Sequence, residues 1–276
     1  MRAKKSLGQH FLTSKGIAAS IVRAAKIEPH EAVLEIGPGR GILTEALLAH
    51  AGHVVAVEKD PELVTFLKIR FAKEIREQKL TLVQSDVLRF NPSNYSLLAP
   101  TFRSGQATYY KLVANIPYYI TGAILEHFLT NKHQPDSMTL LVQKEVAERI
   151  IAKNGKESVL SISVKAYGTP RYVRTVKASL FNPPPKVDSA LLLIANISRD
   201  FFVTNGIAET TFFNLVKKGF AHKRKRLAYN FKHAGYDKHL IESMFTFATL
   251  SNTVRAEDVP LSAWRALAER GEESIY

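Results

Sequence analysis

Short apolar runs with the length of β-strands alternate with helix-like segments through the first two-thirds of the chain, and this alternation limits the possible folds. Five such runs occur in succession and a pair follows later: Ala32–Ile36, Val54–Val57, Leu80–Val83, Tyr110–Ala114, Met138–Val142, Val173–Leu180 and Leu191–Ala195. Strands that alternate with helices are typical of a parallel sheet covered on both faces. We therefore predict an α/β fold for this part of the chain.

The pattern changes after about Asn196, where strand signals end. Apolar residues then recur at helical spacing, at Phe213, Val216, Phe220, Leu227 and Phe231. We predict two domains: an α/β catalytic domain over residues 1–195 and a small all-helical domain over residues 196–276.

Charge is the unusual feature of the composition. The chain has 38 Lys and Arg against 25 Asp and Glu, a net charge of +13. Such an excess indicates a polyanionic partner, either nucleic acid or an anionic membrane surface, with a merely solubilising basic surface as the alternative. The chain contains no cysteine, which excludes disulfides and thiolate metal sites.

The N-terminal stretch, Met1–Leu12, is basic but lacks the apolar core of a signal peptide. No apolar run approaches the roughly 20 residues that span a bilayer. We predict a cytoplasmic protein with no membrane partner.

Small or acidic residues follow each of the first three predicted strands. Gly37-Pro38-Gly39 follows the first strand, and turns rich in glycine let the backbone approach a ligand. Glu58 ends the second strand, where a carboxylate can accept both hydroxyls of a ribose, and Asp86 ends the third, where it can accept from an adenine amine. Ile42 occupies the position of the last glycine in the dinucleotide fingerprint. These features predict an adenosine-bearing cofactor and leave nicotinamide and S-adenosylmethionine open.

Asn115-Ile116-Pro117-Tyr118 follows the fourth predicted strand and favours methyl transfer. The exocyclic amine of adenine is a poor nucleophile because its lone pair is delocalised into the ring. Acceptance of its two hydrogens by the Asn115 side chain and the Ile116 carbonyl favours the pyramidal, nucleophilic amine. Pro117 restricts Ile116 to extended conformations, and Tyr118 can stack on the base. An ordinary strand-to-helix turn is the alternative.

Two further segments have two interpretations each. Phe181 precedes Asn182-Pro183-Pro184-Pro185, so it could form the second aromatic face around an extruded base or be a core residue. The basic run Lys223, Arg224, Lys225 and Arg226 predicts phosphate contacts or a solvated helix face.

Taken together, the motifs resemble those of the ribosomal RNA adenine N(6)-dimethyltransferase family, in particular its bacterial small-subunit members. The similar segments are Ser6–Leu12, Val33–Gly39, Val57-Glu58, Asp86-Val87, Asn115–Tyr118, Gln143–Val146, Phe181–Ser189 and Arg255–Glu257. The resemblance extends from about Lys4 to Ala268.

This resemblance implies a Rossmann-like, S-adenosylmethionine-dependent methyltransferase sheet with a helical C-terminal domain that binds RNA. It implies dimethylation of two adjacent adenosines in the 3′-terminal hairpin of 16S rRNA within the immature small subunit, by a monomer without a metal. The implied cofactor contacts are His10, Leu12, Gly37, Gly39, Glu58, Asp86 and Asn115. Tyr118 and Phe181 would hold the target base, Asn115 would also bind its amine, and Gln9–Leu12 would fold over the cofactor. With Ile116 and Pro117 from the strand-end motif, these three residues form the predicted catalytic set.

At some positions the chain departs from the family pattern. Many members have Asn where this chain has His10, and Tyr119 also commonly corresponds to Asn. Ala228 and Tyr229 replace an Arg and an Asn. These departures bear on the base pocket and on the detailed RNA contacts.

Three other functions remain open from the sequence. The first is a 23S rRNA adenine methyltransferase of the macrolide-resistance type, with the same chemistry on another RNA. The second is a non-catalytic nucleic-acid-binding factor on the same fold. A nicotinamide dehydrogenase is the third, disfavoured by Ile42 and by the lack of a hydride-site constellation.

Overall fold

A seven-stranded mixed sheet forms the centre of the first part of the chain in the computed structural model. The structure describes residues 3–4, 7–99, 101–103, 106–108 and 110–273. Ser6, the first residue of the N-terminal motif, and residues 274–276 of the predicted second domain lie outside the described residues.

The strands are β1 Phe11–Leu12, β2 Ala32–Ile36, β3 His53–Glu58, β4 Leu80–Gln84, β5 Thr101–Arg103, β6 Gln106–Thr108, β7 Lys111–Asn115, β8 Ser137–Gln143, β9 Thr169–Val176, β10 Phe181–Asn182 and β11 Ser189–Ala195. The α-helices are α1 Lys15–Ala25, α2 Ile42–Leu48, α3 Pro61–Arg70, α4 Ala72–Arg76, α5 Thr121–Leu129, α6 Lys144–Ile150, α7 Val159–Tyr167, α8 Asp200–Asn205, α9 Glu209–Gly219, α10 Leu227–His233, α11 Lys238–Phe247 and α12 Leu261–Glu273.

The main sheet has the order β4-β3-β2-β7-β8-β11-β9. Its first five members run parallel, as predicted. The central residues of β2, β3, β7 and β8 are buried, because helices cover both faces of such a sheet, whereas those of the edge strand β4 are half-buried. The late pair differs from these five strands, since β11 is antiparallel to both β8 and β9. The connection from β9 to β11 contains no crossover helix, which a parallel pair would normally require.

A separate two-stranded pairing joins the N-terminal segment to the connection that precedes β11. Strand β1 is antiparallel to β10, with Phe11 opposite Asn182 and Leu12 opposite Phe181. The backbone N–H of Thr13 extends this pairing by donating to the Leu180 carbonyl over 2.9 Å. The segment before α1 is therefore held by regular backbone hydrogen bonds.

The chain divides into two compact units, one of residues 1–147 with 169–197 and the other of residues 148–168 with 198–276. The segment 148–168, which the sequence prediction includes in the first domain, belongs to the second unit. Within the described residues of the second unit all regular elements are helical, around a core that contains Phe212, Phe231, Phe245 and Trp264. The catalytic and RNA-binding assignments of residues 1–195 and 196–276 stay predictions.

None of the described helices combines the length and the apolar character that a membrane crossing requires.

Candidate active site

A pocket of about 320 Å³ opens at the carboxyl ends of the parallel strands, where ligands bind in open α/β sheets. The residues that follow β2, β3, β4 and β7 line it together with residues 7–12 of the N-terminal segment. The predicted residues that line it are His10, Leu12, Gly37, Gly39, Glu58, Asp86, Asn115, Ile116, Pro117 and Tyr118. All predicted cofactor residues therefore meet in one pocket, and their individual roles stay predictions.

The glycine turn after β2 brings the backbone close to the N-terminal segment. Gly39 has φ +57°, a left-handed conformation that glycine adopts without strain. A Cβ atom at this position would lie 3.0 Å from a ring carbon of Phe11, so a side chain would displace the segment that covers the pocket. The Arg40 guanidinium lies 4.7 Å from the centre of the same ring. Glycine at 39 thus allows β1 to pack on the turn.

Glu58, at the end of β3, presents a buried and oriented carboxylate to the pocket. Its Oε1 accepts from the Asp60 backbone N–H over 2.9 Å, and its Oε2 accepts from the Gly39 N–H over 3.3 Å. Burial raises the pKa of this carboxyl, although the backbone N–H groups oppose the shift. The carboxylate keeps acceptor capacity beyond these backbone donors, so the residue fits a ligand that brings hydroxyl groups.

Asp86, after β4, is paired with Lys59 at the pocket wall. Lys59 Nζ lies 2.9 Å from Asp86 Oδ2, and the Leu88 backbone N–H donates to Asp86 Oδ1 over 3.0 Å. Lys59 and this N–H lower the pKa of the Asp86 carboxyl. The aspartate is therefore held as an anion, the form that accepts hydrogen bonds most strongly. It suits an amine at the edge of an adenine ring.

Asn115 ends β7, and its amide has a fixed orientation. The Nδ2 group donates to the His10 carbonyl oxygen over 3.0 Å. Since a carbonyl oxygen can only accept, the contact assigns the amide nitrogen to this side and leaves Oδ1 as the acceptor on the other side. Asn115 and Ile116 both line the pocket, and within the part of the chain that the structure describes neither Asn115 Oδ1 nor the Ile116 carbonyl receives a hydrogen bond. Two acceptors are thus available where the prediction requires them.

Tyr118 begins a single 3-10 turn after Pro117 and lies beside these acceptors. Its hydroxyl and the Ser189 hydroxyl are 2.6 Å apart, which holds the outer end of the side chain in place. Burial raises the pKa of the Tyr118 hydroxyl, which therefore stays protonated at neutral pH. The His10 ring stacks near the Tyr118 ring, with centroids 5.9 Å apart and planes 21° apart. The Pro183 carbonyl accepts from His10 Nδ1 over 2.8 Å, which assigns the proton to that nitrogen.

Phe181 is not among the residues that line the pocket. It is 3% exposed and packs in the core cluster that also contains Leu12 and Ile17. Its backbone pairs with Leu12 across β1 and β10, which points the ring into the core. Phe181 is therefore a core residue, which was one of the two interpretations of the sequence. A role at the target base stays a prediction.

The basic run of the second unit is exposed. Lys223–Arg226 precedes α10, and three of its residues line a surface cavity, Arg224, Lys225 and Arg226. Arg255, Tyr229 and Thr253 complete the lining. No acidic side chain lies within ion-pair distance of these bases among the described residues. Their positive charge is therefore available to an anionic ligand.

Comparison with known proteins agrees with this chemistry. A family model described as ribosomal RNA adenine dimethylase matches residues 1–270. A ribosomal RNA small subunit methyltransferase A from Dehalococcoides mccartyi is 40% identical over 268 residues, which are 97% of this chain and 88% of the relative. The protein of the same name from Fusobacterium nucleatum is 38% identical over 260 residues, 94% and 93% of the two chains.

The chain belongs to the ribosomal RNA adenine dimethylase family.

Solved structures support the fold of this family member. A dimethyladenosine transferase from Plasmodium falciparum has a TM-score of 0.73 and 27% identity, with 94% of this chain and 96% of that chain covered. The 23S rRNA methyltransferase ErmE also has a TM-score of 0.73, with 95% and 99% covered, and at 24% identity it shows the fold alone. The predicted Rossmann-like methyltransferase fold is confirmed.

Family membership confirms three further predictions. The chain is an adenine dimethyltransferase, its cofactor is S-adenosylmethionine and its substrate is RNA. The predicted family resemblance is confirmed as well, and the dehydrogenase alternative is wrong.

Sequence reasoning missed residues that hold the pocket in place. Lys4 Nζ lies 2.7 Å from Asp60 Oδ1 and 2.9 Å from Glu62 Oε1, and Gln9 Nε2 donates to Asp60 Oδ2 over 3.0 Å. These contacts tie the N-terminal segment to the start of α3. The sequence Asp60-Pro61 predicts that Asp60 caps the N-terminus of a helix. It does not predict that the same carboxylate also binds Lys4 and Gln9.

A second missed residue is Glu35, in the centre of β2. It is fully buried, and within the described chain neither carboxylate oxygen has a hydrogen-bond partner. Burial raises its pKa to about 8; the neighbouring Thr44 hydroxyl opposes this shift, and the negative charge of Glu58 adds to it. Glu35 is therefore largely protonated at neutral pH, next in sequence to Ile36, which lines the pocket.

Proposed function

We propose that this protein dimethylates the N6 atoms of two adjacent adenosines in the 3′-terminal hairpin of 16S rRNA. The substrate is the immature small ribosomal subunit in the cytoplasm, and the enzyme acts as a monomer. The observation that carries the proposal is the pair of acceptors Asn115 Oδ1 and the Ile116 carbonyl, which lie beside Tyr118 and receive no hydrogen bond from the described residues. The relatives named small subunit methyltransferase A favour this RNA over the large-subunit alternative.

The proposed chemistry is one of alignment. S-adenosylmethionine supplies, when bound, a methyl group that its positive sulfur already activates, so no metal is part of the proposal. Glu58 would bind the ribose and Asp86 the adenine edge. The rest of the cofactor would contact the other predicted residues of the pocket wall, which are His10, Leu12, Gly37, Gly39 and Asn115. This assignment is supported by the fit of the oriented carboxylates to hydroxyl and amine donors.

For the target base, Asn115 and Ile116 accept the two hydrogens of the exocyclic amine. Because both hydrogens are held, the nitrogen becomes pyramidal and its lone pair leaves conjugation with the ring. Tyr118 holds the plane of the base by stacking, while Pro117 keeps the preceding carbonyl in an extended backbone. The methylated amine is acidic and releases its proton to water, so a tuned general base is not required. The enzyme contributes geometry.

Residues 196–276, with the exposed run Lys223–Arg226, would bind the RNA backbone. The absence of acidic partners around this run, within the described part of the chain, supports a phosphate ligand. Contacts to phosphate supply affinity and little sequence information, so base choice depends on the pocket.

The decisive experiment compares small-subunit rRNA from strains with and without the gene. Mass spectrometry of rRNA fragments should show two dimethyladenosines near the 3′ end that disappear on deletion and return on complementation. Primer extension across the large-subunit site gives the matched control. If the deletion removed the primer-extension stop only in 23S rRNA, the choice of substrate would be overturned. RNA binding by the purified protein without incorporation of a labelled methyl group would favour the non-catalytic factor.

A further inference from the structure

Three aromatic side chains form a cluster on the second unit, outside the pocket described above. Tyr229 and His233 lie one helical turn apart on α10, with ring planes 5° apart and centroids separated by 6.0 Å. His222 meets both rings edge-on, at 5.9 Å from Tyr229 and 5.0 Å from His233. We call these three residues the aromatic cluster. Each ring is thus oriented by the other two.

The outer ring of this cluster is accessible. Tyr229 is 46% exposed, although two neighbouring rings contact it. Lys225 Nζ lies 5.3 Å from the centre of the Tyr229 ring. Because Lys225 is itself exposed, its ammonium can turn towards a phosphate when a flat ligand covers the tyrosine.

Tyr229 also lines the surface cavity of the basic run. The other lining residues are Arg224, Lys225, Arg226, Thr253 and Arg255. Four cations are thus grouped around one exposed ring, and no acid among the described residues neutralises them. Like charges held together in this way repel one another unless an anion binds between them.

We propose that Tyr229, supported by His233 and His222, is a stacking platform for an unpaired base of the RNA, next to the phosphate contacts. Single-stranded nucleic acid is bound by this combination of a cationic groove for the backbone and an aromatic face for a base. An acidic protein segment would use the cations but would leave the ring without a partner. The inference rests on the proposed function as an rRNA enzyme and adds a second place where the protein holds a base.

The first test measures binding of a short uridine oligomer, which contains no adenosine and therefore cannot be a methyl acceptor. Tyr229→Ala should weaken binding roughly 5- to 100-fold, the range for loss of one stacked base. The slope of affinity against salt should not change, because the number of phosphate contacts is the same. Tyr229→Phe should bind like the wild type. Tyr229→Leu keeps an apolar side chain on α10 and should bind like Tyr229→Ala, which separates stacking from folding.

The second test locates the base directly. A 5-iodouridine in the oligomer should cross-link under ultraviolet light to the tryptic peptide 227–232, and Tyr229→Leu should abolish that product. Cross-links confined to other peptides, or equal affinities for wild type and Tyr229→Leu, would overturn the proposal. So would a glutamate oligomer whose binding falls to the same extent on Tyr229→Leu, which would point to an acidic protein partner.

The two proposals fail separately. Missing dimethyladenosines in cells with an intact cross-link at residues 227–232 would refute the substrate assignment alone. Normal dimethylation with no cross-link there would refute the platform alone.

Discussion

The Asn115 side chain donates a hydrogen bond from Nδ2 to the His10 carbonyl oxygen over 3.0 Å. This contact joins the end of the fourth parallel strand to the N-terminal segment that lines the pocket. It also determines which end of the amide faces the ligand. The residue proposed to bind the target amine is therefore oriented by the segment proposed to cover the cofactor.

Replacement of Asn115 tests this coupling. Asn115→Ala removes the acceptor and should lower the rate of methyl transfer by roughly 100-fold or more, since misplacement of a reacting group has effects of this size. Binding of S-adenosylmethionine, measured by calorimetry, should survive at reduced strength. Asn115→Asp keeps an acceptor but cannot donate to His10 while ionised, so it should also be impaired. Unchanged turnover in Asn115→Ala would refute the assigned role.

The Lys59–Asp86 pair predicts a pH dependence of cofactor binding. Lys59 lowers the pKa of Asp86, so the anion persists, together with the stability that it contributes, until the pH falls through the lowered value. Lys59→Met keeps the aliphatic stem and removes the ammonium, so the pKa of Asp86 should rise. Calorimetry with S-adenosylhomocysteine should then show affinity lost at a higher pH than in the wild type.

Lys59→Arg is the matched control for this experiment because it keeps the positive charge beside Asp86. Its pH profile should resemble that of the wild type. If the profile of Lys59→Met coincided with both, the ion pair would have no part in cofactor binding.

Much of the site could be predicted because its residues stand at the ends of strands. Glu58, Asp86 and Asn115 each end or follow an apolar run, and parallel strands bring their carboxyl ends to one edge of a sheet. Local patterns contain this information, since the order of strand and helix determines which ends meet. The prediction needed no knowledge of long-range pairing.

Features that depend on long-range pairing were not predictable in this way. The burial of Phe181 follows from the pairing of β10 with β1, which are separated by 168 residues of sequence between Leu12 and Phe181. The helical segment that begins at Pro61 is likewise interrupted at Phe71, between α3 and α4. The Phe71 ring packs so close to Gly41 that a Cβ atom at position 41 would lie only 2.6 Å from a ring carbon. The secondary-structure propensity of a segment does not indicate which distant residues its side chains will contact.

Removal of two cations from the basic run should change the salt dependence of RNA binding. Lys223→Ala with Arg224→Ala should weaken binding and flatten the slope, because each lost contact to single-stranded phosphate lowers the slope by roughly 0.7. Filter binding at several salt concentrations measures this slope. Lys153→Ala with Lys238→Ala removes the same charge from exposed, ion-paired positions of the second unit and should leave the slope nearly unchanged. Equal slopes for the two double variants would count against phosphate contacts at 223–224.

Because Glu35 is buried and has a raised pKa, we expect the protein to lose stability as the pH rises from mildly acidic to mildly alkaline. Its pKa is about 8 in the folded protein and near 4.5 when exposed, so the folded state binds the extra proton over this range. The free energy of unfolding should therefore fall as the pH rises from about 5 to about 8, by an amount on the order of several kcal/mol at most. Glu35→Gln cannot ionise, and urea denaturation should show a flatter pH profile and higher stability than the wild type at pH 8.5. Glu145→Gln, at an exposed position of α6, should keep the wild-type profile. Parallel profiles for wild type and Glu35→Gln would mean that Glu35 does not titrate on unfolding.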